Sequence, residues 1–164
     1  MEVYERTSRC IKCQSLCNPT FWHTFCPSDG QRHAVATPTA RVYQLFWGIP
    51  ETAHAQANWR LCAKCAAVYY DGYADKGPCD AGDTHTADPR FNFALPHGVP
   101  AGPHAEDGWE YCVKCKVLFY DRLESKGNCA GTGPHKSDPN AFHFVLTHGA
   151  VSLEGDVEQN PVDG

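Results

Sequence analysis

The sequence predicts an all-β fold built from three tandem repeats, and three observations carry that prediction. A unit of about 50 residues recurs along the chain. The segments shared by its copies are short, apolar and aromatic, and two of them, Phe91–Leu95 and Phe142–Leu146, alternate with period two as half-buried strands do. Glycine and proline punctuate the remainder, and no helical period is sustained.

The repeat is read first because it sets the fold. Trp59-Arg60-Leu61-Cys62-Ala63-Lys64-Cys65 aligns with Trp109-Glu110-Tyr111-Cys112-Val113-Lys114-Cys115 at an offset of 50. The same offset relates Tyr70-Asp71 to Tyr120-Asp121, Cys79 to Cys129, His85 to His135, and His54 to His104. After a one-residue insertion, His97-Gly98 falls on His148-Gly149. A degenerate copy precedes them. It keeps Cys10-Ile11-Lys12-Cys13, Cys26, His33 and the closing Tyr43, Leu45 and Gly48, but lacks the leading tryptophan. The units are therefore 1–50, 51–100 and 101–151, followed by an acidic tail, 152–164, expected to be poorly ordered. Each copy offers three strands, or four if the segment carrying His54 or His104 also pairs. Three copies make either one compact pseudo-threefold, trefoil-like domain or zinc ribbons packed in a row.

Nine of the ten cysteines fall into three sets, and each set ends in a histidine. The sets are Cys10, Cys13, Cys26 and His33; Cys62, Cys65, Cys79 and His85; and Cys112, Cys115, Cys129 and His135. A short Cys-x-Lys-Cys turn points two thiolates at one cation, and the later Cys and His complete a tetrahedron. Three thiolates and an imidazole are a structural Zn²⁺ ligand set, so three Zn²⁺ ions are expected. Four protein ligands leave no position for a reacting water. A disulfide framework is the competing reading. Three cysteines per copy is an odd number for pairing, and the recurring histidine would go unexplained. In the first copy His23 is an alternative ligand. Cys17, the tenth cysteine, aligns with Tyr69 and Phe119 and reads as a buried apolar residue, with a substitute metal ligand as the alternative.

The unit Trp-x-x-Cys-x-Lys-Cys, followed by Cys and His and closed by Leu-x-His-Gly, resembles a short zinc-binding repeat of many bacterial and fungal proteins, often secreted and mostly without assigned function. The resemblance implies a zinc-stapled β module and supplies no activity. It covers copies two and three well and copy one poorly.

The remaining residues bear on function. Formal net charge is −5 over 164 residues, which argues against a nonspecific nucleic-acid surface. No apolar run reaches the roughly 18 residues of a membrane span, and the first residues lack a signal-peptide pattern. The expected location is cytoplasmic, or outside by a non-classical route. Tyr70, Asp71, His97, Tyr120, Asp121 and His148 are the candidate ligand-binding residues: an aromatic platform beside a carboxylate, with a histidine before a turn glycine. No nucleophile elbow, phosphate loop or His-Glu-x-x-His pattern is present. Repetition suits a multivalent binder better than an enzyme. The expectation is a non-enzymatic, zinc-stabilised binding protein with lectin-like recognition of carbohydrate, or a partner protein as ligand. The alternatives are a zinc-ribbon module for protein or nucleic acid, supported by the lysines Lys12, Lys64 and Lys114, and a zinc hydrolase, which requires an open metal position.

Overall fold

The computed structural model describes residues 2–21, 24–36 and 40–149; the tail and His23 lie outside them. The described residues form nine β-strands and no helix, as the sequence predicts. No helix is therefore long and apolar enough to cross a membrane.

Each repeat supplies a long strand, a short strand and a closing strand. In the first these are β1 (Glu2–Arg9), β2 (Leu16–Cys17) and β3 (Tyr43–Trp47). In the second they are β4 (Ala55–Leu61), β5 (Val68–Tyr70) and β6 (Phe93–Pro96), and in the third β7 (Ala105–Tyr111), β8 (Leu118–Tyr120) and β9 (Phe144–His148). The long strand pairs antiparallel with both others in every copy. The segment following His54 or His104 does pair, as the first half of the long strand, so the count stays at three.

A bulge interrupts each long strand between Tyr4 and Thr7, Gln56 and Trp59, and Glu106 and Trp109. Asn58 and Gly108 take positive φ there, at 73° and 91°. In an unbroken strand, residues three apart face opposite sides. The extra residue restores them to one side, so the Trp59 indole N–H donates to Gln56 Oε1 at 2.9 Å and that of Trp109 to Glu106 Oε1 at 3.0 Å.

Two cyclic sets of strand contacts close the molecule. Around one end the closing strands meet start to end: Trp47 opposes Phe93, His97 opposes Phe144, and His148 opposes Tyr43. Around the other, the short strands do the same: Cys17 opposes Ala67, Tyr69 opposes Val117, and Phe119 opposes Ser15. Every repeat thus touches both others in equivalent fashion. That is the pseudo-threefold arrangement, not a row. The closure makes one shared core, in which Trp59, Phe93, Trp109, Phe144, Leu45, Leu95 and Leu146 are all shielded from solvent. Tyr43 packs its ring edge-on to Trp109, and Phe144 does so to Trp59, so the closing strand of one repeat seals the tryptophan of another.

Candidate metal centres

The knuckle is the hairpin turn joining each long strand to its short strand. Its backbone folds back so that Gln14, Ala66 and Lys116 donate N–H to the carbonyls of Cys10, Cys62 and Cys112 at 2.8–2.9 Å. These three residues sit at φ 65–70°, the left-handed conformation that releases the second cysteine toward the first. The ligand loop follows the short strand. Cys79 N–H bonds Asp83 O at 3.0 Å and Cys129 N–H bonds Gly133 O at 2.8 Å. In the first copy Cys26 N–H bonds Gln31 O at 2.8 Å, a turn one residue wider. That turn absorbs the extra residue before His33 and leaves the histidine in place.

Each knuckle lysine braces this loop. Lys64 Nζ donates to Gly82 O at 2.7 Å and Lys114 Nζ to Thr132 O at 2.6 Å. Lys12 Nζ bonds Arg32 O and the Asp29 carboxylate, both at 2.8 Å.

The result is three buried Cys₃His groups, and within each the four ligand atoms lie within 4.8 Å of one another. The first and third sulfurs are 3.8 Å apart in all three groups. The second sulfur is 3.6, 3.6 and 3.4 Å from histidine Nδ1. A tetrahedral centre with bonds of about 2.3 Å to sulfur and about 2.05 Å to nitrogen has edges of roughly 3.8 and 3.6 Å. A disulfide would bring two sulfurs to about 2.05 Å, and all ten cysteines are free. The arrangement fits a metal ion and excludes the disulfide reading for this structure.

Electrostatics point the same way. With protons as the only cations, hydrogen bonds from Cys13 and Cys26 hold the Cys10 thiol far below its ordinary value, and Cys62 and Cys112 behave alike. Cys13 and Cys65 are pushed up chiefly by the neighbouring first-cysteine thiolate, and Cys115 chiefly by burial. Burial opposes charge on the histidines, yet hydrogen bonds to two thiols and the charge beside them raise His33, His85 and His135 to about 9. Without a metal, each group holds its one favoured thiolate by hydrogen bonds from the neighbouring thiols and the histidine. A dication would take the place of those protons and ionise all three thiols.

The histidines also link the groups. His33 Nε2 is 3.0 Å from Cys65 O, His85 Nε2 is 3.0 Å from Cys115 O, and His135 Nε2 is 2.9 Å from Cys13 O. With Nδ1 turned to the sulfurs, Nε2 carries the hydrogen and donates it to the knuckle of the next repeat. Tyr69 and Phe119 stack on His85 and His135 at 4.7 and 4.8 Å. Cys17 holds the equivalent position in copy one, buried, with its sulfur toward Ser8 O at 3.6 Å and outside the ligand group.

The candidate ligand residues are dispersed. Asp71 and Asp121 are tied to Lys76 and Lys126 by ion pairs of 3.0 and 2.9 Å, and Asp71 also accepts from the Tyr69 hydroxyl. His97 and His148 are buried where the closing strands meet, with His97 stacked on Phe142 at 3.7 Å and His148 edge-on to Tyr43. Tyr70 and Tyr120 line two different inter-repeat grooves. The groove beside Tyr70 is also lined by Tyr73, Tyr111, Gln56, Asp138 and Phe142. Sequence reading passed over these residues because most differ between the copies and only the fold assembles them. Comparison with protein-family models, with curated proteins and with solved structures finds no match.

Proposed function

We propose that the protein is a non-enzymatic binding module whose β fold is stapled by three structural Zn²⁺ ions. The observation that supports this is the complete, buried four-ligand shell at tetrahedral spacing, repeated three times. Thiolate with imidazole favours zinc over magnesium, calcium or manganese. A filled shell leaves no position for the activated water that a hydrolase needs. The loop-bracing role of Lys12, Lys64 and Lys114 removes the main support for a phosphate-binding ribbon.

The energetics give zinc a decisive part. Structural zinc contributes on the order of 10–16 kcal/mol per site on folding, against a net stability of about 5–15 kcal/mol for a domain. Each repeat alone is well below the roughly 70 residues at which a core suffices.

The test is metal analysis and native mass spectrometry of untagged protein, with thiol titration before and after a strong chelator. The expected result is three zinc ions per chain, ten thiols that react only after chelation (the nine ligands and the buried Cys17), and loss of near-ultraviolet circular dichroism with the metal. Protein that keeps its fold with no bound metal would overturn the proposal.

A further inference from the structure

The pseudo-threefold relation makes three grooves between neighbouring repeats, and the chain treats them differently. Between repeats one and two the groove is filled by Tyr4, whose ring packs 4.8 Å from Phe91 and 5.4 Å from Phe93. Between repeats three and one a wider, polar groove of about 330 Å³ remains, crossed by Glu106, which accepts from the Tyr43 hydroxyl and from Arg41. Strand pairing puts Gln56 at the position of Tyr4 and Glu106, each opposite a leucine of its closing strand. Gln56 neither fills nor bridges, and a groove of about 210 Å³ is left between repeats two and three.

Aromatic rings wall this groove. Tyr70, Tyr73 and Tyr111 form a triangle with centroids 5.2–6.4 Å apart, and Phe142 stands opposite. Tyr73 is 54 % exposed and Phe142 46 %. Phe142 stacks on His97 with centroids 3.7 Å apart, which holds the half-exposed ring in place. Gln56, Asp138 and Asn140 supply the polar part of the wall. Gln56 Oε1 is occupied by the Trp59 indole, and no bond among the described residues engages its amide NH₂. Asp138 accepts the Asn140 backbone N–H and has no ion-pair partner among the described residues. Its counterpart Asp88 is paired with Arg90 at 2.6 Å, and Asn140 takes the arginine's place in repeat three.

Resting on the binding-module reading above, we propose that this groove is a saccharide site taking a neutral sugar ring. A pyranose offers an apolar C–H face to aromatic rings and hydroxyls to a carboxylate and an amide, the combination these walls present. A cationic ligand is disfavoured because Lys116 Nζ already sits 5.9 Å from the Tyr73 ring centre and 5.8 Å from that of Tyr111. An anionic ligand would face Asp138. The volume is below the roughly 300–1,000 Å³ of drug-sized sites, which suits one ring with the rest of a glycan outside.

The experiment is isothermal titration of the full zinc-loaded chain with cellobiose, maltose, lactose and N,N′-diacetylchitobiose, alongside tetramethylammonium and a sulfated disaccharide. Binding of at least one neutral disaccharide is expected, weakened tenfold or more by Tyr73→Ala and by Asp138→Ala. Both side chains stand at the groove rim, so circular dichroism and zinc content should match the wild type. No neutral sugar bound, binding untouched by both variants, or binding only of the cation or the sulfated sugar would overturn the inference. If the chain holds three zinc ions and binds no sugar, the saccharide site fails while the stapled module stands. If it holds no zinc, the module itself fails.

Discussion

His85 donates its Nε2–H to the carbonyl oxygen of Cys115, 3.0 Å away in the next repeat. The same ring atom that fixes the tautomer of one candidate metal ligand therefore orients the knuckle of another. The relation is cyclic and has a direction: His33 to Cys65, His85 to Cys115, His135 to Cys13. Partners of this kind outside the ligand shell are typically worth 10–100-fold in metal affinity.

A directional prediction follows from that ring. His85→Ala should lower metal content from three to two and also loosen the Cys112 group about tenfold. The Cys10 group should be less affected, since its His33 keeps the Cys65 carbonyl as acceptor. His33→Ala should shift the weakness to the Cys62 group instead. Cadmium NMR, which resolves each site, under chelator competition measures this. Equal behaviour of the two remaining sites in both variants would refute the coupling.

Gly127 tests the packing beneath the ring. It has φ 81°, and a methyl group there would overlap the Cys13 carbonyl, the acceptor of His135. Backbone cannot retreat as a flexible side chain can. Gly127→Ala should cost about 2–4 kcal/mol, from left-handed strain plus displacement of the knuckle. Gly102 has open space and no positive φ, so Gly102→Ala should change stability by less than about 0.5 kcal/mol. Thermal melts of the zinc-loaded variants compare the two directly.

The ligand groups were legible in the sequence because their spacing is local: Cys-x-x-Cys is a turn, and each loop returns after a fixed length. The strands were legible for the same reason. Threefold closure was one of the two arrangements that the repeat count offered, and the choice between them was not legible, because it depends on pairs such as His97 with Phe144 and Cys17 with Ala67, which no periodicity announces. The roles of Asp71 and Asp121 were obscured by lysines five residues on that claim their carboxylates. The groove was hidden in differences between copies. Leu61 against Tyr111, and Arg90 against Asn140, look like drift until the fold puts Tyr111 and Asn140 on one wall.

Tyr4 provides a test of groove plugging. Its hydroxyl accepts from the Asn18 amide at 2.7 Å, and Asn18 is buried. Tyr4→Phe should cost about 1–2 kcal/mol by leaving that amide unpaired. Tyr4→Ala should cost about 3–5 kcal/mol by emptying the groove between repeats one and two. Denaturant titration at fixed zinc concentration separates the two. A Tyr4→Ala loss no larger than that of Tyr4→Phe would show that the ring does not fill the groove.

His97 gives the chain a pH dependence separate from the metal groups. Burial, and then the neighbouring His54, hold its pKa below the ordinary 6.5. The folded state therefore binds fewer protons at this site than the unfolded chain, and stability rises with pH. The contribution is fully present above about pH 6.5 and is lost as pH falls through the folded value. His97→Phe removes the titration and keeps a ring against Phe142. The stability of the wild type relative to His97→Phe should therefore fall steadily between pH 7 and pH 5. Using the difference cancels acid release of metal, which both proteins share. Urea unfolding of the pair across that range is the measurement, and a constant difference would mean that the imidazole titrates freely in the folded chain.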